Sequence, residues 1–406
     1  MLIMIGERLK MSSKKLLVIL NDPTAAYSRC DDEDFLSEIN PRDRDGNRYF
    51  DDVASLNWKD KEDVEYAGIT SRSFLEEKGD ARALMDALIS GQMPFDSPLF
   101  EDIFAKEEER VAEISRELNP DVIRAFNTHF AAELGHMVSR ELDIPLVVSA
   151  HDPSRLTNAI KYADSLVCIS EDLAERSVQG YGFDTKKMTV IPDGIDTHRL
   201  FYPRDAREYA PVVGHEFLNN PRILSVGRIV PSKNIETLLE AVATVKGEVP
   251  SVKHIHLGNG SPEAIKQIRE LGARLELDET SYFIGGIQKN QLPLYYSWAD
   301  VYALPTLWEG LGRAQIEALS CGTPVVTTDD APMNTIVKDG YNGFVVDPRN
   351  PTMLANRITR LLTNEDLRSQ LGGDTARRSV NEYDIDNIMR MNCRNYDKVL
   401  SEHEGR

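Results

Sequence analysis

Leu304-Pro305-Thr306-Leu307-Trp308-Glu309-Gly310-Leu311-Gly312-Arg313-Ala314-Gln315-Ile316-Glu317-Ala318-Leu319-Ser320-Cys321-Gly322-Thr323-Pro324-Val325-Val326 reads as a strand end, a glycine-lined turn, a short helix, a glycine cap and the next strand. Such a unit belongs to an α/β chain built on parallel sheets. Gly310 and Gly312 permit a tight turn whose backbone N–H groups can face an anion, and the following helix adds its positive end, equivalent to roughly half a charge. Glu309 stands in the turn and Glu317 inside the helix. Glycine amides, a helix N-terminus and two carboxylates together suit a nucleotide sugar, with Glu317 accepting from vicinal ribose hydroxyls and Glu309 holding a sugar hydroxyl. Without the glycines, the same two glutamates read as ordinary acids near a helix start. Gly322 and Pro324 close the helix.

Outward from this stretch, apolar β-rich runs alternate with longer helical patterns. The second half predicts strands at 222–226, 254–257, 281–284, 301–304, 325–328 and 344–346; the first half predicts them at 16–20, 122–126, 145–149, 165–169 and 189–191, with helices over 103–118 and 130–142. Residues 28–80 break the rhythm: they are acidic, arginine-bearing and poor in apolar periodicity, and read as an insertion or a long mobile loop. A chain of 406 residues exceeds one ordinary core. The expected organisation is two doubly wound, Rossmann-like domains facing a central cleft, residues 1–200 and 201–383. A C-terminal helix within 384–406 is apolar at Ile385, Ile388, Met389, Cys393, Tyr396 and Val399, and is expected to pack back on the first domain.

Formal net charge is −19, which disfavours a general nucleic-acid binder, because phosphate neutralisation needs a basic face. No apolar run approaches the ~18 residues needed to cross a bilayer. Leu16–Leu20 is short, follows two lysines and lacks a small-residue cleavage site, so it reads as a first core strand and the chain as cytoplasmic. Cys30, Cys168, Cys321 and Cys393 lie far apart with no paired spacing; neither a disulfide framework nor a zinc site follows, and buried free thiols are expected. Asp43-Arg44-Asp45 reads as solvated charge, so no metal is implied.

Three further places carry candidate chemistry. Strand 222–226 ends in Gly227-Arg228, and Lys233-Asn234 opens the next helix. Ligands of open α/β sheets bind outside the carboxyl ends of strands. There Arg228 can grip two phosphate oxygens as a fork and Lys233 supplies a point charge, while Asn234 caps the helix. Two solvated cations beside a strand end is the plain alternative. His151 follows strand 145–149 at the same kind of position, and His129 has a weaker case after 122–126. Gly258-Asn259-Gly260 either borders a nucleotide or is a simple turn.

These motifs resemble the family-four retaining nucleotide-sugar glycosyltransferases of the GT-B fold. The resemblance covers nearly the whole second half: Val226-Gly227-Arg228 with Lys233, Phe283-Ile284-Gly285, Ala299-Asp300-Val301, Glu309-Gly310-Leu311-Gly312 through Glu317, Cys321 through Val326, and Asp339 through Phe344. The first half matches at Cys168-Ile169-Ser170 and Val190 through Asp196. The resemblance implies that Arg228 and Lys233 hold the donor diphosphate and Glu317 the ribose. It assigns Glu309, with Gly227 and the amides of Gly310, Leu311 and Gly312, to the transferred sugar and phosphate. His151 would sit beside the sugar and acceptor, and the base would rest near residues 284–287. Three departures stand out: Asn21-Asp22-Pro23-Thr24 lacks the family's glycine pair, Arg124-Ala125-Phe126 replaces a His-x-His, and Thr335 replaces a glutamate.

The implied reaction moves a sugar, with retention and without a metal or other cofactor, from a nucleotide diphosphate donor to a glycan or lipid-linked acceptor. That places the protein in polysaccharide, glycolipid or glycoprotein synthesis, with peripheral contact at the inner membrane surface. A glycan phosphorylase or hydrolase on a similar frame, and a non-catalytic sugar-nucleotide or glycan binder, are the competing readings.

Overall fold

The computed structural model describes residues 14–20, 42, 48–57, 64–66, 69–73, 110–126, 128 and 130–405. The chain divides into two compact units, Met1–Gly194 with Ile388–Arg406, and Ile195–Asn387.

The first unit holds an eight-stranded sheet. Its strands are β1 Lys15–Leu20, β2 Asp52–Asn57, β3 Val64–Tyr66, β4 Ile69–Ser73, β5 Val122–Phe126, β6 Leu146–Ala150, β7 Ser165–Cys168 and β8 Met188–Val190, in spatial order β3-β4-β2-β1-β5-β6-β7-β8. All neighbours are parallel except β3 with β4. Every residue of β5, β6 and β7 is buried, as expected of parallel strands covered on both faces. Helices follow the strands. The helix Glu171–Tyr181 starts where the Ser170 side chain accepts from Leu173 N–H and ends at Gly182, left-handed at φ 65°.

The reading of residues 28–80 as an insertion or a long mobile loop is corrected over 48–57, 64–66 and 69–73, which hold three strands; most of the rest lies outside the described residues. Asp52–Asn57 lies parallel to β1, with Leu16 opposite Val53, and β4 extends the sheet beyond it. Val53, Ala54 and Leu56 are buried. A six-residue strand preceded by Asp51 and opening on Asp52 carries too little apolar pattern to announce itself. What makes it a strand is its partner β1, more than thirty positions away.

The C-terminal helix Ile385–Glu404 supplies Ile388, Tyr396 and Val399 to the core of this unit, against Leu16, Val18, Phe50, Val53, Val122 and Val147. Each such aliphatic side chain contributes about 1.5–3 kcal/mol by leaving water. Arg124, buried in β5, donates to Ser149 Oγ (2.7 Å), Asn392 Oδ1 (3.0 Å) and the Tyr396 hydroxyl (3.4 Å). The residue that departs from the family's His-x-His is therefore a brace between the sheet and the last helix.

The second unit holds a six-stranded, wholly parallel sheet. Its strands are β9 Arg222–Val226, β10 Lys253–Leu257, β11 Ser281–Gly285, β12 Val301–Ala303, β13 Val325–Thr328 and β14 Gly343–Val346, in spatial order β11-β10-β9-β12-β13-β14. The order reverses between β9 and β12. Open α/β sheets bind ligands outside the carboxyl ends of strands at such a switch point.

Candidate functional site

Both chain segments that leave the switch point of the second unit carry predicted site residues. After β9, Gly227 N–H donates to Leu257 O (2.9 Å) and Ile229 N–H to Asn259 O (2.8 Å), so the turn stays sewn to the end of β10. Arg228 lies between them, exposed. A single 3-10 turn, Pro231–Lys233, and Asn234 at φ 52° lead into the helix Ile235–Glu248. The expected side-chain cap at Asn234 is not formed, because that residue adopts a left-handed backbone. Its amide instead donates to Pro305 O (3.2 Å) and Pro348 O (2.7 Å), and its Oδ1 accepts from Thr237 Oγ1 (2.8 Å), tying β9's helix to the chain after β12. Leu307 N–H adds a bond to Ser232 O (2.8 Å).

After β12 the chain runs through exposed Trp308 to Glu309, then buried Gly310 and Leu311. Gly312, at φ 95°, takes the left-handed conformation that opens the helix Arg313–Ser320. Lys233 Nζ and Glu309 Oε1 form a direct ion pair across the switch point. The lysine's methylenes also pass over Gly227, where an added Cβ would lie 3.6 Å from Lys233 Cδ and Cε. The two residues assigned separately to phosphate and sugar thus meet one another here, as a partly sheltered pair whose charges cancel.

Glu317 is buried within the helix, and the Tyr296 hydroxyl donates to its Oε2 (2.8 Å). Burial, followed by the neighbouring Glu317 charge, pushes the Tyr296 phenol far above its ordinary value, so it remains a donor. Gln315 Nε2 donates to Thr327 Oγ1 (2.7 Å), fixing the same helix to β13.

Gly258-Asn259-Gly260 is a packing turn. An added Cβ at Gly258 would lie 1.8 Å from Gly227 O, and one at Gly260 would lie 2.8 Å from Ile229 Cβ. Asn259 Oδ1 accepts from Gly286 N–H (2.7 Å), so this one turn joins the ends of β9, β10 and β11. Ile284, where the base was expected, is exposed at the end of β11.

His151 belongs to the first unit, just past β6. Its Nδ1 lies 3.4 Å from Asp193 Oδ1, and its ring stacks on Phe126 at 5.6 Å between centroids. His129 and Asp43-Arg44-Asp45 lie outside the described residues. Among the described residues no three His, Cys, Asp or Glu side chains gather as a metal-binding group. Asp193 and Asn259 stood inside motifs read from the sequence without a partner assigned to either, and Tyr296 was not singled out. Only Asn259 carried a local signal, an asparagine between two glycines.

Two family models match the chain: Glycosyltransferase Family 4 over residues 76–199, and glycosyl transferases group 1 over residues 211–378. The chain belongs to the group 1 glycosyltransferases. A D-inositol 3-phosphate glycosyltransferase of Geodermatophilus obscurus is 30% identical over 270 residues, covering 59% of this chain and 59% of that one. The chain spans about six-tenths of the length of the first curated relatives it matches. Among solved structures, the Anabaena protein HepE in complex with UDP and glucose aligns over 96% of this chain and 99% of its own, with 20% identity and a TM-score of 0.72. Sucrose-phosphate synthase from Thermosynechococcus elongatus aligns over 96% and 100%, with 20% identity and a TM-score of 0.74. The chain has the GT-B fold, with two Rossmann-like units.

Proposed function

We propose that this glycosyltransferase moves a sugar from a nucleotide diphosphate donor to a glycan or lipid-linked acceptor, with retention at the anomeric carbon. One observation carries the reading: Arg228, Lys233, Glu309 and the Gly310–Gly312 turn all issue from the switch point of the second unit, at the carboxyl ends of β9 and β12. The Anabaena neighbour's complexes with UDP and with UDP and glucose support a nucleotide-sugar donor.

As the bond from the anomeric carbon to the diphosphate oxygen breaks, that oxygen gains negative charge. Arg228, Lys233 and the amides opening the helix Arg313–Ser320 would stabilise it, a preorganised effect able to supply several kcal/mol. The acceptor oxygen bonds to the anomeric carbon on the face the diphosphate leaves, and the acceptor proton passes to a leaving phosphate oxygen. This route uses no dedicated protein base. Lys233 would exchange Glu309 for phosphate when donor binds, which releases the glutamate to hold a sugar hydroxyl. Glu317, oriented by Tyr296, would accept from the ribose. His151, held by Asp193, is assigned to the same transfer.

No helix among the described residues is long and apolar enough to cross a membrane.

A panel of UDP-, GDP- and ADP-sugars tests the reading through the melting temperature, since a ligand binding only the folded state at 100 times its dissociation constant stabilises by about 2.7 kcal/mol. One donor class is expected to raise it, and Lys233→Ala or Arg228→Ala to abolish both that rise and sugar transfer while the fold persists. Phosphate-dependent glycan cleavage without any donor response would favour the phosphorylase reading. Donor binding without turnover across many acceptors would favour a binder.

A further inference from the structure

Arg228 and Lys233 are assigned to one diphosphate, yet they are held differently. Arg228 is exposed, and its side chain makes no ion pair or hydrogen bond among the described residues. Lys233 Nζ is taken by Glu309, with side chains only 13% and 28% exposed, and Lys233 is the one partner of the Glu309 carboxylate among the described residues. The backbone fixes this meeting. On one side of the lysine Ser232 O accepts from Leu307 N–H (2.8 Å), and on the other Asn234 Nδ2 donates to Pro305 O (3.2 Å). Both neighbours of Lys233 are thus tied to the segment that leads into Glu309, and buried Gly310 and Leu311 anchor the chain beyond it. Groups held in one frame find each other without a search, so the pair closes whenever nothing stands between its members.

We propose that Glu309 is the residue by which this site tells a sugar nucleotide from the bare nucleoside diphosphate, and that closure of its pair with Lys233 expels the spent diphosphate after transfer. The proposal deepens the donor reading above and rests on it. Any diphosphate must take Lys233 away from Glu309. With a bare diphosphate the carboxylate then loses its cation in a partly sheltered place and faces an anion. Removing one partner of a sheltered charge pair leaves the other uncompensated, and like charges brought together repel. With a sugar nucleotide, a sugar hydroxyl donates to the freed carboxylate, and such charge-assisted bonds are the stronger kind. A site arranged to bond a substrate hydroxyl rejects the analogue that lacks it, because its own polar group stays unpaired.

Transfer turns the second case into the first. The sugar carries its hydroxyl away to the acceptor, and Glu309 is left facing the diphosphate with nothing to hold. It then reclaims Lys233. Arg228, with no internal partner to leave or regain, serves as the constant contact with the anion, while Lys233 is the cation that switches. Discrimination of this kind works by a repulsive element set against the wrong ligand, as well as by an attractive one for the right ligand.

Calorimetry on the full-length protein tests this, with UDP, GDP and ADP and with UDP-, GDP- and ADP-sugars, comparing wild type with Glu309→Gln. That substitution keeps the shape and removes the charge. The dissociation constant of the bare diphosphate is expected to fall roughly tenfold in Glu309→Gln, about 1.4 kcal/mol. That of the matching sugar nucleotide is expected to stay within about threefold, since easier release of Lys233 is offset by a weaker bond to the hydroxyl. A damaged fold would weaken both ligands and cannot imitate this pattern. The bare diphosphate should also leave Glu309→Gln more slowly in stopped flow, because affinity changes within one site fall mostly in the off-rate. Bare diphosphate binding no tighter to Glu309→Gln than to wild type overturns the proposal. Equal tightening of both ligands overturns it too, because Glu309 would then repel any anion without telling them apart. An unchanged off-rate overturns the expulsion. In each of these outcomes the donor reading stands, because a sugar nucleotide still binds wild type; failure of every diphosphate and sugar nucleotide to bind either protein overturns the donor reading and the discrimination with it.

Discussion

Replacing Gly258 with alanine should damage the second unit more than any surface change of similar size. Gly258 sits at φ 151°, and its added Cβ would lie 1.8 Å from Gly227 O and 2.6 Å from Gly227 C. Both atoms are backbone, so no rotamer change relieves the overlap. The ends of β9 and β10 must move apart by more than an ångström, stretching the 2.9 Å bond from Gly227 N–H to Leu257 O. Overpacking of this kind costs about 1–3 kcal/mol, and a side chain forced into a positive-φ conformation adds about 1–2. The total, roughly 2–5 kcal/mol, is a large part of the ~5–15 kcal/mol that holds a typical domain. Gly247→Ala is the control: it lies in the helix Ile235–Glu248 with nothing within 4 Å of the new Cβ, and should stabilise by about 0.5–1 kcal/mol. Urea unfolding followed by tryptophan fluorescence reads both, because Trp298 is fully buried in this unit. A Gly258→Ala midpoint within about 0.5 kcal/mol of wild type would refute the close approach of the two turns.

Acid should weaken the second unit in a defined window. His254 and His256 stay neutral in the folded protein down to about 3 and about 4, whereas in the unfolded chain they protonate near pH 6.5. The unfolded state therefore binds more protons as pH falls from about 6.5 to about 4, and stability is lost across that range, on the order of a few kcal/mol. Equal urea midpoints at about pH 7 and about pH 4.5, followed through Trp298, would count against it. Cys168 is pushed up to about 12 by burial, and Cys321 further, so both thiols should resist a disulfide reagent at neutral pH until the chain unfolds; rapid labelling of either in native protein would contradict their placement. Asn392→Ala removes an acceptor from the buried Arg124 guanidinium and should cost about 1–3 kcal/mol, lowering the melting temperature by several degrees. An unchanged melting temperature would show that Arg124 does not need the C-terminal helix.

Much of this protein was legible one residue at a time. The stretch from Leu304 to Val326 announces strand, turn, helix and strand because each signal is local: glycines where the backbone must turn left-handed, apolar residues at the period of their element, Gly312 at the helix start. The C-terminal helix was readable from the spacing of Ile385, Ile388, Met389, Cys393, Tyr396 and Val399, all of which are buried. The alternation of strands and helices already implied parallel sheets. Pairings between distant residues were not legible. β2 is a strand because β1 lies beside it. The Lys233–Glu309 pair joins residues 76 positions apart, and Tyr296 finds Glu317, Asp193 finds His151 and Ser225 finds two histidines only once the sheets are assembled. Periodicity records which face of an element is apolar, a property of neighbours along the chain. Which polar groups then share a dry space depends on strand order and register, so the tertiary structure alone decided that a lysine and a glutamate meet at the switch point and that neutral histidines lie beneath it.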